Sequence, residues 1–78
     1  MQDEIKENNL RQYREMVKYS QANLAKACGM NVDIIINIEN YKHTPMWGTQ
    51  WKIFHALVEL GAENKDGTAL NIKDVFPV

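Results

Sequence analysis

The sequence predicts an all-α protein, a compact five-helix bundle around a central helix-turn-helix at about residues 20–40. Three observations predict it. Apolar residues recur at helical spacing in segment after segment. No segment alternates as a half-buried strand would; even Val32–Ile38, rich in β-branched residues, sits between Asn31 and Asn40 with no alternation. Residues that start and stop helices fall at the segment ends.

The first helix is expected from Asn8 or Asn9 to Lys18, with Leu10, Tyr13, Met16 and Val17 on one face. The second begins after Ser20, whose hydroxyl can accept an orphan backbone N–H. It turns Leu24, Ala25 and Cys28 inward and stops at Gly29, where a left-handed residue closes a helix. The third follows at once. Asn31 is its N-cap, Asp33 suits the positive end of its dipole, and it ends near Asn40. Thr44-Pro45 opens the fourth, since proline fits a first turn. There Trp47, Trp51, Phe54 and Val58 recur at i, i+4, i+7 and i+11, Ile53, Leu57 and Leu60 widen the face, and Gly61 is the stop. Residues 61–70 are a polar loop with a Lys65-Asp66-Gly67 turn. A short last helix spans Asn71 to Phe76, ended by Pro77.

With 78 residues, the span 1–78 is read as one domain. A hydrophobic fraction of 45% and a charged fraction of 24% are ordinary for a globular protein. Cys28 is alone, so no internal disulfide forms, which fits a reducing cytoplasm. No apolar run reaches the length of a membrane span, and Met1-Gln2-Asp3-Glu4 does not open like a signal peptide. The net charge is −1, but unevenly spread. Residues 11–52 hold six basic and three acidic side chains; the remainder hold three and seven. The middle is thus mildly basic and the ends acidic, which bears on partners more than the sum does.

Chemistry-bearing constellations are scarce. Cys28, His43 and His55 lack the close pairing of a zinc site, so no metal or other cofactor is expected. No nucleophile–base pair and no glycine-rich phosphate loop occurs, so the chain is not expected to be an enzyme. Trp47 and Trp51 share a face with Phe54, which suits core or dimer contacts better than a base-stacking platform.

The informative stretch is Ser20 to Asn40: helix, tight glycine turn, helix. So short a turn makes the helices cross steeply, at roughly 90–120°. Met30, Ile35 and Ile38 can then pack on Leu24 and on Ala25, which is small at the close approach. One face of the third helix is left outward, in a shape that fits a DNA major groove.

Ser20-Gln21, Leu24-Ala25, Gly29, Ile35, Ile38-Glu39-Asn40, Lys42 and Pro45 stand in an order that resembles the phage Cro/repressor-type helix-turn-helix proteins. This is the xenobiotic-response-element family, with its lambda-repressor-like fold. Trp51–Leu57 and Ile72–Phe76 fit its later helices without a gap. The resemblance implies a sequence-specific, double-stranded-DNA-binding transcription regulator, cytoplasmic, of prokaryotic or phage origin, acting as a homodimer. It implies that Gln21 reaches a backbone phosphate, with Gln12 or Lys42, and that Tyr41 and Lys42 lie along the phosphate chain. It gives Asn31, Val32, Asp33, Ile34, Ile36 and Asn37 as the reading positions of the third helix. Asn37 can read an adenine edge, Asp33 a cytosine amine, and Val32 or Ile36 a thymine methyl. It implies that Arg14 pairs with Glu39 as a structural ion pair, since a partly buried carboxylate needs a cation. It makes Trp47 a candidate dimer contact.

Two departures stand out. The apolar Val32, Ile34 and Ile36 and the acidic Asp33 occupy positions where the family carries polar or basic residues, and Tyr41 replaces its usual glycine. Asn40 or Tyr41 must then take up any left-handed turn, at a cost in strain. A second reading stays open: a protein-interaction module on the same fold, an antirepressor or partner subunit, docking its regulatory partner through the apolar third helix.

Overall fold

The computed structural model describes residues 7–77. Five helices follow in order, α1 (Leu10–Met16), α2 (Gln21–Cys28), α3 (Val32–Glu39), α4 (Trp47–Glu59) and α5 (Ile72–Val75). No strand occurs among the described residues; Glu63 and Ala69 form one isolated antiparallel bridge that pinches the 61–70 loop. All five helices feed one core. Leu10, Leu24, Ile35, Ile38, Ile53, Leu57 and Val75 are all essentially inaccessible, and every helix contributes at least one of them. Burial of such side chains is the main favourable term in a domain this small.

Local chemistry sets the helix-turn-helix as its sequence predicts. Ser20 is extended and its Oγ accepts the Asn23 N–H at 3.0 Å. Gly29 is left-handed at φ 69°, and the Met30 N–H folds back to the Ala25 carbonyl at 2.9 Å. Asn31 Oδ1 then accepts the Asp33 N–H at 2.8 Å, so α3 is capped only two residues after the turn glycine and starts at Val32.

Other boundaries differ from expectation, each for a physical reason. The first helix stops at Met16 rather than Lys18, because Lys18 takes a left-handed φ of 61°. That reversal lets the Tyr19 carbonyl accept from Arg14 Nη1 at 2.7 Å. Pro45 is not in the first turn of α4: it is buried just before it, with Met46 as N-cap, and its carbonyl accepts from Gln50 Nε2 at 3.0 Å. The last helix is confined to Ile72–Val75, since Phe76 leaves helical geometry at φ −124°, ψ 81°.

The apolar line on α4 also departs from a pure core face. Ile53, Phe54 and Leu57 are buried, Trp51 is half-buried against the core, but Trp47 is 59% and Val58 43% exposed. Trp47 therefore packs edge-on against Trp51, centroids 5.5 Å apart, instead of entering the core.

The chain ends of the bundle are tied by polar contacts. Asn8, itself buried, accepts the Leu10 N–H at 3.0 Å and donates to the Ile38 carbonyl at 2.9 Å. It starts α1 and caps the end of α3 with one side chain. Asn9 donates its backbone N–H to Val75 and its amide to Asp74, each at 2.8 Å, joining α1 to α5.

Candidate nucleic-acid interface

The candidate surface is built on a buried charge. Glu39, at the end of α3, has a fully inaccessible side chain. Arg14 from α1 grips it with two donors, Nε to Oε2 at 2.5 Å and Nη2 to Oε1 at 3.1 Å. The expected structural pair is therefore present, as a two-point contact. The bond to Glu39 raises the Arg14 pKa above its ordinary value against the opposing effect of burial. A third partner is Gln21, whose Nε2 donates to Oε1 at 3.0 Å. Arg11, largely exposed, brings a second cation to 3.6 Å of the same oxygen.

This hub fixes three elements relative to one another. It anchors α3 to α1 through Arg14 and to the first residue of α2 through Gln21. The amide of Gln21, expected to reach a phosphate, is committed inward to Glu39, and Gln21 is half-buried. Its free reach toward a ligand is correspondingly reduced.

The expected reading positions separate by their place around α3. Ile35 and Ile38 are core residues. Val32 and Ile34 are half-buried and pack on the core, so they are not free probes. Ile36 is half-buried outside that cluster. Asn31, Asp33, Asn37 and Asn40 are exposed. Asp33, Asn37 and Asn40 recur at i, i+4 and i+7, and so line one outer edge of α3. Much of the apolar character of α3 is thus used internally, and its outward edge is polar.

The turn after α3 continues that edge. Tyr41 is the residue that takes the left-handed conformation, at φ 62°, where the resemblance supplies a glycine. The Lys42 N–H returns to the Asn37 carbonyl at 2.8 Å, and the Lys42 side chain is exposed beside the helix end. Tyr41 also lines a cleft of about 330 Å³ with Asn8, Asn9, Arg11, Gln12 and Glu15. The expected residues Asn31, Asp33, Asn37, Tyr41 and Lys42 thus lie exposed along α3 and its following turn. Gln21, Val32 and, in part, Ile36 are drawn inward.

Sequence reasoning missed Asn8, Arg11 and the left-handed Lys18. An asparagine two residues before a helix is a turn and cap signal in itself. Its second partner, the Ile38 carbonyl thirty residues on, leaves no local mark.

Elsewhere the chemistry is sparse. Among the described residues, no three His, Cys, Asp or Glu side chains gather as a metal site, and no helix is long and apolar enough to cross a membrane. Cys28 is half-buried, and burial pushes its thiol up to about 11, with Lys52 pulling the other way. The thiol is therefore protonated and unreactive near neutrality. No protein-family model, curated protein or solved structure matches the chain.

Proposed function

We propose that the protein is a sequence-specific DNA-binding transcription regulator of the Cro/repressor type, acting as a dimer in the cytoplasm. In this reading α3 enters the major groove. One observation carries it: the polar edge Asp33–Asn37–Asn40 faces outward while the opposite side of α3 is locked by Ile35, Ile38 and the Glu39 hub. A reading helix must be both exposed and rigidly held. Asn37 offers a bidentate amide to adenine, Asp33 an acceptor for the cytosine amine. Lys42 and the outer cation Arg11 supply backbone attraction, and the two half-sites lie roughly 34–36 Å apart.

Gel shifts against a randomised duplex pool, at low and moderate salt, test the reading. Enrichment of one sequence, with affinity falling steeply as salt rises, is the expected result. Asn37→Ala should then lose about 1–3 kcal/mol at a single base pair, whereas Lys42→Ala should weaken all sequences alike. Uniform loss from Asn37→Ala would argue against base readout.

A second reading has one observation in its favour. Asp33 is the exposed acid at the N-terminal end of the outer edge, and it repels phosphates. A protein partner, engaging α3 through Ile36 and its polar neighbours, would bind with little dependence on salt. Absence of any duplex binding in the same titration would select it.

A further inference from the structure

The outward edge of α3 carries no cation. Its exposed side chains are Asn31, Asp33, Asn37 and Asn40, and no lysine or arginine occurs from Asn31 to Asn40. The outer cations Arg11 and Lys42 stand off the helix, one on α1 and the other in the turn after α3. Guanine is most often read by a cation that reaches both of its acceptors, and this edge lacks that contact. What the edge does offer is short and selective. Asp33, when ionised, can only accept hydrogen bonds. Asn37 presents an amide that accepts and donates at once. Asn31 is less free, because its amide oxygen is spent on the Asp33 N–H at 2.8 Å.

In the major groove the only hydrogen-bond donors are the amino groups of adenine and cytosine. A carboxylate facing the groove has to meet one of them or lie stranded near the phosphates. The Asn37 amide is matched by the amino group and ring nitrogen of adenine together. On the DNA reading of α3, from which this follows, we infer that the protein senses methylation of those amino groups: α3 rejects a site whose contacted adenine or cytosine carries an amino methyl. Each amino group has two hydrogens. The complementary base holds one, and the other faces the groove. In paired DNA a single amino methyl takes the groove-facing place. Asn37 or Asp33 then loses its donor and meets a methyl group instead. The helix is held against swinging aside, since Ile35 and Ile38 are inaccessible and Arg14 grips Glu39. A methyl on the pyrimidine ring is a different case. It leaves the amino hydrogen in place, and half-buried Ile36, about 60° round the helix from Asp33, gives it an apolar neighbour. Asp33 and Asn37 are roughly 6 Å apart along the helix, so the two sensitive bases lie about two base pairs apart.

The test takes the duplex selected from the randomised pool and resynthesises it with one methyl at a time, as N6-methyladenine, N4-methylcytosine or 5-methylcytosine. Fluorescence anisotropy at low salt keeps weak complexes measurable. N6-methyladenine at one position and N4-methylcytosine at another should each weaken binding about tenfold or more, while 5-methylcytosine should change it by less than about twofold. In Asn37→Ala the adenine methyl should no longer matter, and in Asp33→Ala the cytosine methyl should no longer matter. Each loss is thereby tied to one side chain. Both residues are exposed, and unchanged helical circular dichroism checks that the variants fold. Equal binding of every methylated form overturns the inference and leaves the DNA reading standing. So does a loss that persists in both variants, or one that 5-methylcytosine reproduces. A pool from which no duplex is selected overturns both.

Discussion

Glu39 and Asn64 each collect hydrogen bonds from distant parts of the chain, one as a buried charge and the other as a neutral amide at a half-buried site. Glu39 takes three hydrogen bonds, two from Arg14 and one from Gln21, and joins α1, α2 and α3. Asn64 accepts the Tyr13 hydroxyl at 3.1 Å and shares its N–H hydrogens among Thr68 Oγ1, the Ala69 carbonyl and Asp74 Oδ2, each at 3.1 Å. It ties the 61–70 loop to α1 and α5. Two hydrogens divided among three oxygens make individually weak bonds. A buried carboxylate gripped at two points does not tolerate loss of its partner. The difference teaches that the bundle holds its α3 surface rigidly and its C-terminal loop loosely. The proposed reading role of α3 would need the former, and nothing in the loop requires it.

The comparison breaks most sharply at Arg14. Arg14→Met strands the Glu39 charge, and urea unfolding should show a loss of about 3–5 kcal/mol. Adding Glu39→Leu removes the stranded charge, so the double variant should recover most of that stability. If the double variant were as unstable as the single, the hub would not act as an ion pair. Asn64→Ala removes the shared bonds of a neutral amide, one of them to the Asp74 carboxylate, and should cost about 1–2 kcal/mol in the same assay.

pH separates the two hubs again. Burial raises the Tyr13 pKa above its ordinary 10.0, with Asp74 adding to the rise. Cys28 is raised to about 11. For both groups the folded state favours the neutral form. Their contribution is fully present below the ordinary values, 9.0 for the thiol and 10.0 for the phenol, and is lost as pH rises through them. Stability should therefore fall from about pH 9 to 11. Cys28→Ala should shift the onset of that fall upward; an unchanged onset would remove the thiol from the account. Arg14, whose pKa is also raised, stays charged throughout this window, so the Glu39 hub should survive it.

The smallest expected effect sharpens how the Glu39 hub is built. Lys18 is exposed and left-handed, a conformation that costs a residue with a Cβ roughly 1 kcal/mol. Lys18→Gly should stabilise by up to about that amount, since the reversal that brings the Tyr19 carbonyl to Arg14 is kept. A destabilised variant would mean that the lysine side chain contributes more than its backbone conformation costs.

Much of this fold is legible in the sequence because its punctuation is local. Ser20, Gly29 and Asn31 act within two to five residues, and their caps and reversal fall where residue type places them. The Arg14–Glu39 pair was accessible only through the resemblance, since its partners lie 25 residues apart. The α3 surface was harder to read. Helical spacing places Ile34 and Ile36 off the Ile35–Ile38 line, but only the neighbouring helices decide that Ile34 packs inward while Asn37 stays free.

The amino-acid order by itself determined an all-helical chain, where α2 and α3 begin and end, and which stripe of each helix is apolar. These follow from backbone hydrogen bonding and side-chain period, which act over a few residues. Tertiary structure decided that Trp47 and Val58 face outward, that Gln21 turns to Glu39, that Tyr41 carries the left-handed turn, and that Asn8 and Asn64 bridge remote segments. Periodicity names the face of a helix but not what covers it. That depends on how five helices share one small core, where each buried side chain excludes another.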